Sequence, residues 1–227
     1  MNRVITVERT LDATPRMEAE RFRQLLAGRG TLVVNLLSSP GSGKTSLLAA
    51  TAQHWAGKYH MAVLVGDIAT DRDAQRLAPH VPVIQLTTGG ACHLGLPLVQ
   101  QGWERFAEQA FDFLFIENVG NLVCPSSHDL GEHLRVVMLA TTEGDDKPAK
   151  YPKAFRTSHA MVISKTDLLP YVPFDVSAAA ADARSVRPDL EVFPLASLSG
   201  SGLEPWCDFL VRQHGLRLAE TVSTGGG

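Results

Sequence analysis

Strong charge is missing from this 227-residue sequence: 21 lysines and arginines face 24 acidic residues, the formal charge is −3, and no basic block stands out. A protein that held nucleic acid or a membrane surface through its overall field would need more, so a phosphate-bearing ligand has to be gripped locally. Long apolar runs are missing too. The longest, within TLVVNLL and DFLFI, fall far short of the ~20 residues that cross a bilayer, and MNRVITVERTLD has no apolar core of signal-peptide length. A cytosolic protein without a nucleic-acid or membrane partner is expected. Cysteine is scarce: Cys92, Cys124 and Cys207 cannot all pair and do not form a secreted disulfide framework, so they read as thiols. No internal repeat and no low-complexity interior occur.

What is present points to one α/β domain over residues 1–227, a length at which one domain is commoner than two. Residues 13–26 carry apolar side chains at helical spacing among charges, which predicts an amphipathic helix in an N-terminal segment, 1–29, that lids the core. Seven short apolar runs follow: TLVVNLL, MAVLV, VPVIQL, FDFLFIEN, LRVVMLA, AMVIS and LEVFPL. Several lack alternation, as strands covered on both faces do, and the stretches 44–56, 95–110 and 174–186 have the length of crossover helices. The expectation is a three-layer P-loop NTPase with a mainly parallel, doubly wound sheet of about seven strands. Residues 221–227, TVSTGGG, are expected to be a disordered tail.

The stretch SSPGSGKT ends as a phosphate-binding loop does, with Ser38 where the pattern's first glycine belongs. Gly41 and Gly43 allow amides to turn inward, and a helix starting near Lys44 adds its positive end. Pro40, Gly41, Ser42, Gly43, Lys44, Thr45 and Ser46 are therefore expected to cradle the nucleotide, Lys44 reaching the β and γ phosphates and Thr45 ligating Mg²⁺. Asp67 and Glu117 follow strands at the same sheet edge and are expected to hold Mg²⁺ directly or through water. Lys44, Asp67 and Glu117 are the expected catalytic residues. Asp71 and Asp73 admit a plainer reading as helix-start residues. No arginine stands out to stabilise transition-state charge, so slow intrinsic hydrolysis is expected.

VISKTDLLP puts Lys165 and Asp167 after a strand, where guanine-specific NTPases carry N-K-x-D; here Ser164 replaces the asparagine. A desolvated carboxylate accepting two bonds from guanine would be left unpaired by adenine, so GTP and GDP are favoured. In PLASLSGSG, Ala196 and Ser197 stand in the serine and alanine places of the loop that touches the guanine oxygen, and Leu198 in that of a basic residue.

TTGGACHLGLP offers Cys92 and His93, and VGNLVCPSSHDL offers Cys124, each after an expected strand at the same edge. Two thiols and an imidazole suit Ni²⁺, Zn²⁺ or Cu rather than Mg²⁺. Structural zinc usually takes four protein ligands and three are evident, so the fourth position is open or filled from elsewhere, for instance across a two-fold dimer. The plainer alternative makes both cysteines small apolar residues. Cys207 is expected in the core; His128 and His133 are possible extra ligands but read more readily as surface histidines. Lys147, Lys150 and Lys153 are candidates to reach a phosphate or a carboxylate of a neighbouring subunit.

Taken in order, SSPGSGKTSLL, GDIATDRDAQR, TTGGACHL, IENVGNLVCP, EGDDKPAKYPKAF and SKTDLLPY resemble the hydrogenase nickel-incorporation GTPase family, HypB, over residues 30–210. The resemblance implies a dimerising metallochaperone GTPase that forms a homodimer on GTP binding and binds Ni²⁺ or Zn²⁺ at that interface. It further implies nickel delivery to the large subunit of [NiFe]-hydrogenase, with a nickel-insertion partner protein. Carried over by motif, Cys92, His93 and Cys124 are the implied ligands of that metal. The departures at Ser164, at residues 196–198 and at Gly90, where the family often has lysine, bear on base specificity and on the metal loop. The other readings are a urease-type nickel accessory GTPase, a P-loop small-molecule kinase using ATP, and a nickel scavenger with a vestigial P-loop.

Overall fold

The computed structural model describes residues 13–67, 71–106 and 108–224; the expectations for residues 1–12 and 225–227 lie outside that range. Chain order runs α1 (Ala13–Gly28), β1 (Leu32–Ser38), α2 (Lys44–His54), β2 (Met61–Asp67), α3 (Arg72–Leu77), β3 (Val83–Thr87), α4 (Leu96–Glu104) and β4 (Phe113–Glu117). A 3₁₀ turn at Pro125–Ser127 leads to β5 (Leu134–Ala140), then α5 (Lys147–Lys150), α6 (Pro152–Arg156) and β6 (Ala160–Ser164). Another at Thr166–Tyr171 precedes α7 (Val176–Val186), β7 (Glu191–Pro194) and α8 (Leu203–Thr224).

All seven expected strands form, in one sheet ordered β3-β2-β4-β1-β5-β6-β7, and every pairing is parallel. β1, β4, β5 and β6 are buried along their whole length, which is why their sequences do not alternate, whereas the edge strands β3 and β7 are only partly covered. The register sets Leu36 of β1 against Glu117, Val65 of β2 against the same residue, and Ala140 against Ser164. Ser38, Asp67, Glu117 and Ser164 thus end at one rim, the carboxyl edge where α/β sheets bind ligands.

Apolar burial closes both faces. On one, α2 and α8 bring Trp55, Trp206 and Phe209 onto Phe113 and Phe115, with Trp55 stacked on Phe113 at 4.3 Å between centroids. On the other, α1 buries Ala19, Phe22 and Leu26, spaced three and four apart, against Val33, Leu114 and the Trp103 of α4. The amphipathic stripe does lid the core. α4 ends at Glu104 rather than continuing toward 110, because Phe106 and Phe111 fold back edge-on against Trp103. The last helix runs to Thr224, past residue 221 where a tail was expected; no glycine or proline interrupts the chain between Gly215 and Gly225. Among the described residues no helix is long and apolar enough to cross a membrane.

Candidate nucleotide site and its neighbouring thiol cluster

The loop after β1 takes the shape its glycines permit: φ is 75° at Gly41 and 90° at Gly43, the left-handed region where a side chain would be strained. α2 begins at Lys44, so its N-terminal end faces the loop. A cleft of about 290 Å³ runs from residues 41–46 to Asp73, Arg76, Glu117 and Lys165. The Lys44 ammonium donates to Ser38 Oγ at 2.8 Å, so the serine that departs from the pattern gives the lysine an acceptor. Burial first of all pushes Lys44 below the ordinary lysine range, against the opposing pull of Glu117 and more distant carboxylates.

Thr45 Oγ1 donates to Glu117 Oε1 at 2.8 Å, while Glu117 Oε2 is buried with no hydrogen-bonding partner among the described residues. Burial raises the Glu117 carboxyl to about 7, Lys44 and Thr45 opposing it. Asp67, at the end of β2, is near enough for its charge to act on both Lys44 and Glu117. A hydroxyl, an orphaned carboxylate oxygen and a second carboxylate make an oxygen set that fits Mg²⁺. Asp71 precedes α3 without capping it through its side chain, and Asp73 pairs with Arg76 at 3.6 Å. Arg76, the partner of Asp73, also lines the cleft, at the end of the six-residue α3, and was not singled out in the sequence.

Two further groups clasp the loop: Glu143, which was not read from the sequence, and Lys147, which was expected to reach a phosphate or a neighbouring subunit and instead binds within its own chain. Glu143 accepts from Ser42 Oγ at 2.8 Å, and Lys147 donates to Ser39 Oγ at 3.1 Å while pairing with Glu143 at 3.1 Å. Burial works to raise the Glu143 carboxyl, but bonds from Ser39, the Ala140 amide, Ser42 and Lys147 hold it below the usual range. Lys147, Lys150 and Lys153 all have partners within the chain, the last two being Asp146 and Ser127 Oγ. The EGDDK spacing was the signal: i to i+4 brings Glu143 and Lys147 to one side of the turn.

The segment with Lys165 and Asp167 follows β6 at the same rim. Ser164, almost fully buried, donates to the Ser42 carbonyl at 2.6 Å and ties β6 to the phosphate loop in place of an asparagine. Lys165 has φ 60°, held by Thr141 Oγ1 on its carbonyl at 2.7 Å, and its stem crosses over Gly43. Asp167 follows in the 3₁₀ turn, exposed. The Thr166 amide donates to the Leu195 carbonyl, which brings Ala196 and half-buried Ser197 alongside; Leu198 is 91% exposed.

At the same rim, glycines 89 and 90 turn the chain after β3 with φ of 65° and 103°. That turn puts Cys92 and His93 on one side, Sγ to Nδ1 being 3.8 Å. The Cys124 thiol lies beside Cys92, whose own thiol is raised by it. His93 is lowered by burial and by the nearby His128, which stacks on it with centroids 3.7 Å apart. His128 is therefore no ordinary surface histidine. His133 does not join the cluster: its Nδ1 accepts from the Val33 amide at 2.9 Å in the core. Cys207 is core as expected, its thiol pushed up to about 12 by burial.

One loop touches both features. Asn121 bridges to Ser38, and its side chain donates to the Cys92 carbonyl at 3.5 Å. Asn118 accepts from the Leu94 amide at 3.4 Å and donates to Asn35 of β1 at 3.2 Å. Gly120 packs so closely on Pro40 that a Cβ would lie 3.0 Å from the proline Cα.

Residues 32–194 match the CobW/HypB/UreG nucleotide-binding domain. The chain is 44% identical over 222 residues to the hydrogenase maturation factor HypB of Azotobacter vinelandii, covering 97% of this chain and 73% of that one. The chain belongs to the HypB family. The HypB of Escherichia coli K12 is 45% identical over 205 residues, 90% of this chain and 70% of its own. The crystal structure of HypB from Helicobacter pylori in complex with nickel superposes with a TM-score of 0.86 at 36% identity, covering 91% and 97% of the two chains. HypB of Archaeoglobus fulgidus gives 0.82 at 35%, covering 89% and 99%. As in those HypB folds, the whole P-loop architecture is present here.

Proposed function

We propose that this HypB chain binds and hydrolyses GTP, forms a homodimer when GTP is bound, and carries nickel for [NiFe]-hydrogenase maturation in the cytoplasm. In this reading a nickel-insertion partner protein assists transfer to the hydrogenase large subunit. The observation that carries it is the loop 118–121, which contacts Ser38 and Pro40 on the phosphate side and Cys92 and Leu94 on the thiol side.

The geometry supports the following roles. The loop residues 41–46 and the start of α2 would hold the phosphates, and Lys44 would leave Ser38 for the β and γ oxygens. Thr45, Glu117 and Asp67 would hold Mg²⁺, which would supply charge neutralisation at the phosphates. Asp167 pairs with the guanine edge, Lys165 lies along the ring, and Ser197 lines the far side. Cys92, His93 and Cys124 take the Ni²⁺ or Zn²⁺ cargo, two soft sulfurs and one imidazole.

Coupling is short-range. Glu117 accepts from Thr45, so a metal held by both would bear on their bond, and Asn118, the next residue, holds the Leu94 amide directly after the Cys92-His93 pair. A coupling of about 1–3 kcal/mol would change cargo affinity some 5- to 150-fold, and cargo would change nucleotide affinity reciprocally.

Sedimentation with GDP or a non-hydrolysable GTP analogue, each with and without Ni²⁺, tests this by reporting mass and bound metal together. The expected result is a dimer with the analogue and a nickel affinity that differs between the two nucleotides. Identical mass and identical nickel binding in all four samples would overturn the reading.

A further inference from the structure

Three cargo donors leave a borderline divalent ion one short of a closed tetrahedral shell. We infer that His128 supplies the fourth, so that one chain offers two thiolates and two imidazoles to Ni²⁺ or Zn²⁺. The inference rests on the reading of Cys92, His93 and Cys124 as the cargo site.

His128 is prepared for this on its backbone side. It follows the turn Pro125–Ser127, and its Nδ1 lies 2.9 Å from the carbonyl of Cys124. Only a protonated Nδ1 can donate to that oxygen, which assigns the tautomer and leaves the Nε2 lone pair free. Metal-bound imidazoles are commonly oriented in this way, one ring nitrogen on a backbone carbonyl and the other on the ion. Here the orienting carbonyl belongs to a proposed sulfur ligand, so the two donors move as a unit.

The ring also lies against one of the proposed donors. It stacks on His93 with 17° between planes and 3.7 Å between centroids, while His93 Nδ1 is 3.8 Å from Cys92 Sγ. Its backbone is anchored from below: Arg135 donates to the carbonyls of Ser126 at 3.1 Å and His128 at 2.7 Å, and is itself clasped by the buried Glu132. On its outer side His128 lines a cleft of about 730 Å³ beneath α1.

Among the described residues no three of these side chains already surround one point. Parallel rings direct their lone pairs side by side, so capture needs a rotation of His128 that turns Nε2 inward. With Cys92, Cys124 and His93 it then completes an S₂N₂ set, the kind zinc takes readily and nickel accepts.

The test uses the full chain, Ni²⁺ or Zn²⁺ alone, and a chromophoric competing chelator, with X-ray absorption to read the ratio of imidazole to thiolate scattering. In the unaltered protein the expected ratio is one to one; one imidazole for two thiolates overturns the inference whatever any variant does. His128→Phe keeps a flat ring on His93 without a donor. It is expected to weaken Ni²⁺ binding about 10- to 100-fold, the scale of losing a metal-supporting group, and to halve the imidazole signal. Cys124→Ser separates the two readings. If it loses the metal while His128→Phe binds as the parent does, the inference falls and the cargo site stands. If Cys124→Ser also binds as the parent does, the cargo site falls and the inference with it.

Discussion

Thr45 and Glu117, 72 residues apart in sequence, meet through a 2.8 Å hydrogen bond at the mouth of the phosphate loop, leaving the second carboxylate oxygen buried and unpartnered. Such an oxygen is costly without a cation, and its carboxyl is raised to about 7 accordingly. Glu117→Gln keeps an acceptor for Thr45 and removes the charge. Mg²⁺-dependent GTP hydrolysis is expected to fall about 10- to 100-fold, the range of one charged hydrogen-bonding partner, while GDP affinity measured without Mg²⁺ changes less than about threefold. Equal hydrolysis by variant and parent would remove Glu117 from the metal's ligands.

Gly120 is the point where the two halves of the proposed machine touch. A methyl group there would press on Pro40 Cα at 3.0 Å and Pro40 N at 3.1 Å, both backbone atoms that cannot swing aside. Overpacking of this kind costs about 1–3 kcal/mol. Gly120→Ala is expected to weaken nucleotide binding by roughly 5- to 150-fold and to reduce the nucleotide dependence of nickel affinity. Fluorescent-nucleotide titration reads the first effect, and chelator competition in each nucleotide state reads the second.

Asp167 is exposed in the 3₁₀ turn that follows Lys165, whose stem crosses over Gly43 of the phosphate loop. Guanine would pair with it through two donors, and Asp167→Asn turns one of those contacts into a clash of donors. GTP affinity is expected to drop more than about tenfold. Parallel titration with ATP, which never used the carboxylate, is expected to show no loss; unchanged GTP binding would refute guanine recognition by this residue.

His133 gives the pH dependence of stability. Burial above all, then the charges of Arg217 and Arg23, pushes its imidazole down to about 4 from an ordinary 6.5. Below pH 6.5 the unfolded chain takes up a proton that the folded chain refuses until about pH 4. Stability is therefore complete above 6.5 and lost as pH falls through that window, by at most about 3 kcal/mol for this group. His159, also lowered to about 4 mainly by burial, acts in the same direction. Thermal midpoints recorded from pH 8 to 4 are expected to slope less steeply in His133→Gln than in the parent; identical slopes would contradict the assignment.

The sequence alone determined the strands, because a strand buried on both faces must be written in unbroken apolar residues, and it determined the phosphate loop, because only glycines tolerate those dihedral angles. It also named Cys92, His93, Cys124 and the resemblance to HypB, through motifs whose chemistry is local. Tertiary structure decided everything that depends on what lies across the fold. Asn118 and Asn121 became the link between phosphate loop and thiols only when parallel pairing laid β4 between β1 and β2. Ser164 proved to replace an asparagine by reaching Ser42, 122 residues away. His133 was drawn into the core and His128 onto His93, though the two histidines stand in the same short polar stretch. Side-chain chemistry is carried by residue type, whereas burial and neighbours are properties of the packed chain, and no local pattern encodes them.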